Sequence, residues 1–267
     1  MSFSMLKLTA LISLLPAAIT LFRKPARRDT IFWSAMVVAT AGTLAWVVAR
    51  QANGWSTGVS TALWLTIAAC LVFFMVTAVA TSEGWRLLPL LAPYLVLLAA
   101  LATLWDQAPE RPLVGDAPLG WIGTHIAVSV STYGLITLAA IAALAAWIQQ
   151  RALKAKTYSP LAKLLPPLAD SEHLILRLLQ ISDIVLAIGL ATGVATFYME
   201  SGHFLLIDQK TIFTTSVFVV VGVLLIAQAR WGMRGRSAVR GVLLAYLLLT
   251  LGYPGVKFVT DILLGSP

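Results

Sequence analysis

Trp121-Ile122-Gly123-Thr124-His125-Ile126-Ala127-Val128-Ser129-Val130-Ser131-Thr132-Tyr133-Gly134-Leu135, continuing through Trp147-Ile148-Gln149, is a run without a single Asp, Glu, Lys or Arg. A helix crosses the roughly 30 Å of bilayer hydrocarbon in about 20 mostly apolar residues. Residues 121–149 exceed that length, and they read as a buried or lipid-bathed helix. Seven further apolar runs flank this one, at about 4–22, 30–49, 58–80, 85–105, 174–199, 211–229 and 238–260. The expectation is an all-α, polytopic integral membrane protein. It is a bundle of eight transmembrane helices forming a single transmembrane domain over 1–267.

Composition agrees. The chain has 267 residues, 59% of them apolar and only 11% charged, with a mean hydropathy of +0.88. A soluble domain averages about 45–50% apolar and about 25% charged. These values exclude a water-soluble enzyme, a disordered chain and a disulfide scaffold. The one cysteine, Cys70, lies in Ala68-Ala69-Cys70-Leu71-Val72. It reads as a small buried hydrophobe, and it leaves no CxxC pair or cysteine zinc site.

The net charge of +8 comes from 19 Lys+Arg against 11 Asp+Glu. In a membrane chain it is first an orientation signal. With the N-terminus outside, fourteen basic residues fall in or beside inner loops, from Arg23, Lys24, Arg27 and Arg28 to Arg230, Arg234, Arg236 and Arg240, and five fall outside. Both termini are therefore expected outside. The basic loops suit anionic lipid; the lipid bilayer is the expected partner, and nucleic acid is not. Trp55, Trp85, Trp105, Trp121 and Trp231 fall near span ends, where indoles anchor.

In so apolar a chain each intramembrane polar group calls for an explanation. His125, Ser129, Thr132 and Tyr133 stand at i, i+4, i+7 and i+8 and define a polar helical stripe. His125 lies at its outer end. A neutral imidazole there can ligate haem iron, or can hydrogen-bond across helices. His203, in Ser201-Gly202-His203-Phe204, is expected on the same side as His125. Asp183 is placed near the inner start of the sixth span, as a partner for Arg177 or a loop arginine. The middle of every span reads as free of carboxylates, which speaks against a proton-driven pump or transporter.

The order of several motifs then points to a family. Trp121-x-x-x-His125-x7-Tyr133 is followed by Pro166-Pro167-Leu168-x-x-x-Glu172, Asp208-x-Lys210-Thr211, Gln228-Ala229-Arg230-x3-Arg234-Gly235 and Gly252-Tyr253-x-Gly255-Val256. Over roughly residues 60–260 this resembles the cytochrome c assembly protein family (CcsA/HemX-like), and most closely its HemX/YpjD-type inner-membrane branch. The resemblance implies a bacterial inner-membrane protein that binds or presents haem at the outer face. The expected metal ligand is His125, bound to haem iron as an axial ligand; His203, Tyr133 and Ser129 complete the cofactor-binding candidates. A membrane-protein partner in a cytochrome assembly or related complex is also implied. Gln228 stands where the CcsA branch carries a histidine, and no Trp-rich segment precedes Asp208. The alternative is therefore a non-enzymatic membrane scaffold or regulatory subunit that has lost haem binding. On either reading the chain is not an enzyme.

Overall fold

The computed structural model describes residues 3–20, 27–52, 58–106, 118–201, 209–233 and 235–259. Within these it is all-helical. Helices α1 (Phe3–Ile19), α2 (Thr30–Gln51), α3 (Val59–Ala80), α4 (Leu88–Leu104), α5 (Leu119–Ala155), α6 (Pro160–Leu164), α7 (Leu168–Ser201), α8 (Gln209–Trp231) and α9 (Arg236–Thr250) follow in order. Seven helical segments among the described residues are long and apolar enough to cross a membrane. Helix α1, the first expected span, has 17 residues and contains Pro16. At 1.5 Å per residue it measures about 26 Å, a little short of the hydrocarbon thickness.

The boundaries have local causes. Asp29 caps α2, its Oδ1 accepting from the Phe32 N–H at 3.0 Å, as expected of an N-cap aspartate. Ser159 caps α6 through the Ala162 N–H at 3.2 Å. Helix α5 ends at Lys156, in a left-handed conformation at φ 51°. Helix α7 begins at Leu168, six residues before the expected 174, because Pro166-Pro167 bars a helix only up to its own position. The Ser171 N–H already bonds the Pro167 carbonyl at 2.9 Å. Helix α9 loosens into a π-helical turn over Leu251–Gly255. Pro254 within it has no N–H to donate, a common cause of such irregularity.

Helix α5 is the central post. It packs most extensively on α7 and also on α9 and α3, while α8 closes against α7 and α9. Small residues set these approaches. Ala139, Ala142, Ala143, Ala145 and Ala146 on α5 are completely enclosed. A Cβ on Gly134 would stand 3.1 Å from the Ala69 Cβ of α3. Lipid is as apolar as leucine, so such close contact, rather than water exclusion, holds membrane helices together. Cys70 is buried, as expected. Trp46 and Trp64 are each 1% exposed, and their rings meet edge to face at 6.2 Å; they are core residues, not lipid-interface anchors.

Both ends of the bundle are tied by polar contacts. At the basic end, the Arg86 guanidinium donates to the Leu164 carbonyl at 3.1 Å and the Lys163 carbonyl at 2.7 Å, and pairs with Glu83 at 2.9 Å. Gln149 donates to the Ala162 and Pro166 carbonyls at 2.9 and 3.0 Å. At the opposite end Arg50 pairs with Asp106 at 3.1 Å and donates to Thr61 Oγ1 at 2.9 Å.

Candidate functional site

His125 lies in the second turn of α5, half-buried against α7. Its seat is made by glycine. A Cβ on Gly193 would stand 3.1 Å from the imidazole Cε1, and a Cβ on Gly189 would stand 3.4 Å from Val128 Cγ1. Any larger residue at 193 would push the ring outward. Between these glycines, Thr192 Oγ1 lies 3.0 Å from His125 Nδ1. The threonine hydroxyl donates its only hydrogen to the Gly189 carbonyl at 3.0 Å. So placed, the hydroxyl accepts from the histidine when Nδ1 carries the proton, and Nε2 then keeps its lone pair. In that tautomer a histidine can ligate a metal through Nε2 while its other nitrogen is tethered. The Gly189 backbone also hydrogen-bonds the imidazole.

The expected polar stripe divides. Tyr133, eight residues and about 12 Å further along α5, is 3% exposed and turns to α9. At 100° per residue it sits about 80° round the helix from His125, enough to give it different neighbours. Its hydroxyl lies 3.1 Å from Thr250 Oγ1. Thr250 Oγ1 also lies 2.8 Å from the Tyr246 carbonyl, to which it can donate. The Tyr246 hydroxyl donates in turn to the Tyr94 hydroxyl at 2.9 Å. With Tyr253, whose ring lies 6.3 Å from that of Tyr133, four tyrosines form one cluster around the buried Tyr133. Tyr133 thus belongs with this cluster and not with His125. Ser129 is half-buried and makes no hydrogen bond among the described residues. Thr132 bonds its own helix, to the Val128 carbonyl at 3.0 Å.

His203 lies outside the described residues, as does Asp208. Among the described residues no group of three or more His, Cys, Asp and Glu side chains is placed to hold a metal ion. A haem would therefore find one histidine nitrogen here, His125 Nε2. That fits an axial ligand, which needs a single imidazole.

Two features escaped the reading of the residues. The tyrosine cluster was visible only as isolated phenols in separate apolar runs. Asp183 lies sixteen residues into the 34-residue α7, not near its start. Its Oδ1 is buried without a hydrogen-bond partner, and Arg177 does not pair with it. A mid-span carboxylate is thus present after all.

The family described as Cytochrome C assembly protein matches residues 29–264. The chain belongs to the cytochrome c assembly protein family. Among curated relatives, an uncharacterized 28.8 kDa protein of Azospirillum brasilense is 54% identical over 263 residues, covering 97% of each chain. The inner membrane protein YpjD of Escherichia coli K12 is 29% identical over 200 residues, 74% of this chain and 73% of its own length. The protein HemX of Brevibacillus brevis is 26% identical over 132 residues, 49% of this chain and 48% of its own. No solved structure matches the chain. Its apolar helices and its likeness to a named inner membrane protein make this family member a multi-pass protein of the bacterial inner membrane.

Proposed function

We propose that this chain is a haem-handling protein that binds or presents haem at the outer face of the membrane, with His125 as the iron ligand. The observation that carries the reading is the seat of His125, its Nδ1 at 3.0 Å from Thr192 Oγ1 in a notch made by Gly189 and Gly193. With the proton on Nδ1, facing Thr192, Nε2 keeps the lone pair that an iron would need. Membership of the cytochrome c assembly family supports the same reading. The proposed orientation, with eight spans and both termini outside, rests on the lysine and arginine bias and sets His125 toward the outer end of α5.

The chain's own part is binding and orientation. Gly193 makes room for the imidazole, Thr192 fixes its rotation, and the α5–α7 seam keeps both in register. Haem, when bound, would supply the iron chemistry. His203 is the candidate for a second ligand. No bond-making step is assigned to side chains, so the chain acts as a carrier or presenter rather than an enzyme. Its protein partner would be a component of a cytochrome assembly or related complex.

The test is spectroscopic. The purified protein, supplemented with haem, is expected to show a Soret band that shifts or is lost in His125→Ala. Absence of a Soret band, or a band indifferent to that substitution, would overturn the reading.

A further inference from the structure

Helices α3 and α5 are alternate spans and run the same way. They are level with each other where a Cβ on Gly134 would stand 3.1 Å from the Ala69 Cβ. From that level α3 continues eleven residues to Ala80, and α5 continues twenty-one to Ala155. The excess is ten residues, about 15 Å. Just beyond Ala80 the ion pair of Glu83 with Arg86 marks the polar layer. That layer is about 5–8 Å deep on each side of the hydrocarbon. The end of α5 and the turn into α6 therefore reach past it into water.

Charge of one sign and apolar side chains meet there. Arg151, Lys154, Lys156 and Lys163 are all exposed, and no Asp or Glu occurs from 117 to 169. Among these cations stand three exposed apolar side chains, Leu153 and Tyr158 at 49% each and Leu161 at 38%. Elsewhere on the bundle lipid covers such groups. Past the headgroups no acyl chain does, and clustered apolar exposure in water marks a contact surface. The surface is also held still. Ser159 caps α6, Gln149 holds the Ala162 carbonyl, and the Arg151 guanidinium lies over the Trp147 ring at 4.1 Å. A surface already fixed loses little freedom on binding, and tyrosine and arginine are types enriched in protein interfaces.

We propose that the turn from α5 into α6 is a docking surface for a protein partner on the basic side of the membrane, which it meets through an acidic segment carrying apolar side chains. The partner's carboxylates face Lys154, Lys156 and Lys163, and its apolar groups cover Leu153, Tyr158 and Leu161. Complementary charge sets the encounter and the apolar contact sets the residence. An anionic membrane supplies the charge without apolar contact at this height. A nucleic acid supplies the charge and a stacking partner for Tyr158, but leaves both leucines in water. The proposal is independent of haem, whose candidate ligand lies at the other end of α5.

The experiment uses the full chain in nanodiscs of neutral phosphatidylcholine. The probe is a fluorescent synthetic peptide of glutamates interspersed with leucine and phenylalanine, its binding followed by anisotropy. The parent is expected to bind it, more weakly as salt is raised. Lys154→Glu with Lys163→Glu is expected to weaken binding about tenfold or more. Leu153→Ser with Tyr158→Ser is expected to weaken it about tenfold and to keep the salt dependence. Arg236→Glu with Arg240→Glu makes the same charge change at the start of α9, at the same end of the bundle, and is expected to alter binding less than about threefold. All the replaced side chains are exposed, so thermal unfolding should match the parent. Failure of the parent to bind the peptide overturns the proposal. So does equal affinity for a peptide of glutamates alone, or an α9 variant as damaging as the Lys154 and Lys163 pair. Tighter binding of a single-stranded oligonucleotide, lost in the same variants, also overturns it. Quenching of a Tyr158→Trp chain by lipids brominated on their acyl chains would place the turn in the bilayer and overturn it as well.

Discussion

Thr192 is the residue on which the candidate site turns. Thr192→Val keeps the shape of the side chain and removes the oxygen that meets His125 Nδ1. The imidazole is then free to change tautomer and to rotate. The expected outcome is a folded protein whose haem affinity falls about 10- to 100-fold, the usual effect of losing a histidine's outer partner. A haem titration followed at the Soret band measures it, and Thr192→Ser should restore most of the loss. Gly193→Val acts differently, since its Cβ alone would stand 3.1 Å from the ring. Overpacking of this kind costs about 1–3 kcal/mol, so thermal unfolding in detergent should begin at a lower temperature with or without haem. His125 could be singled out from sequence because a histidine in an uncharged run is rare. Its partner could not, because Thr192 is one of several threonines in apolar helices, and only the packing of α5 on α7 selects it. Ser129 and Tyr133 looked like companions of His125 because a helical stripe tolerates 80° of spread, whereas a contact does not.

At the level of elements, helix ends decide more than helix interiors. The Arg50–Asp106 pair ties the end of α2 to the end of α4, and Thr61 at the start of α3 takes a third bond. Arg50 is 8% exposed. Arg50→Ala would leave the carboxylate and the threonine without that donor, at a cost of about 2–3 kcal/mol, to be measured as a drop in resistance to denaturation. Arg86 does the corresponding work at the basic end. Arg86→Ala is expected to loosen the 156–166 segment without unfolding the bundle, and limited proteolysis should cut there faster than in the parent. The apolar runs announced every long helix. They placed the start of α7 too late because Asp170 and Glu172 look like loop residues. In fact they occupy the first turns of a helix, where negative charge is favoured. That displacement also moved Asp183 from mid-helix to a presumed helix start, and so hid it.

For the whole molecule, the prediction is sidedness. Single cysteines placed at Tyr158 and at Ser266 in a Cys70→Ala chain should react oppositely with a membrane-impermeant thiol reagent. In cells whose inner membrane is intact but accessible from outside, the Ser266 site should label and the Tyr158 site should not. The reverse pattern would invert the orientation. The lengths of α5 and α7 add a consequence. At 37 and 34 residues, they measure about 56 and 51 Å, some 20 Å more than the hydrocarbon they cross. Tilt takes up only part of such an excess. The remainder, with α6 and the carbonyls gripped by Arg86 and Gln149, is expected to form a braced cap at the basic end. A protein approaching from that aqueous side would meet a rigid, positively charged shoulder instead of the lipid surface.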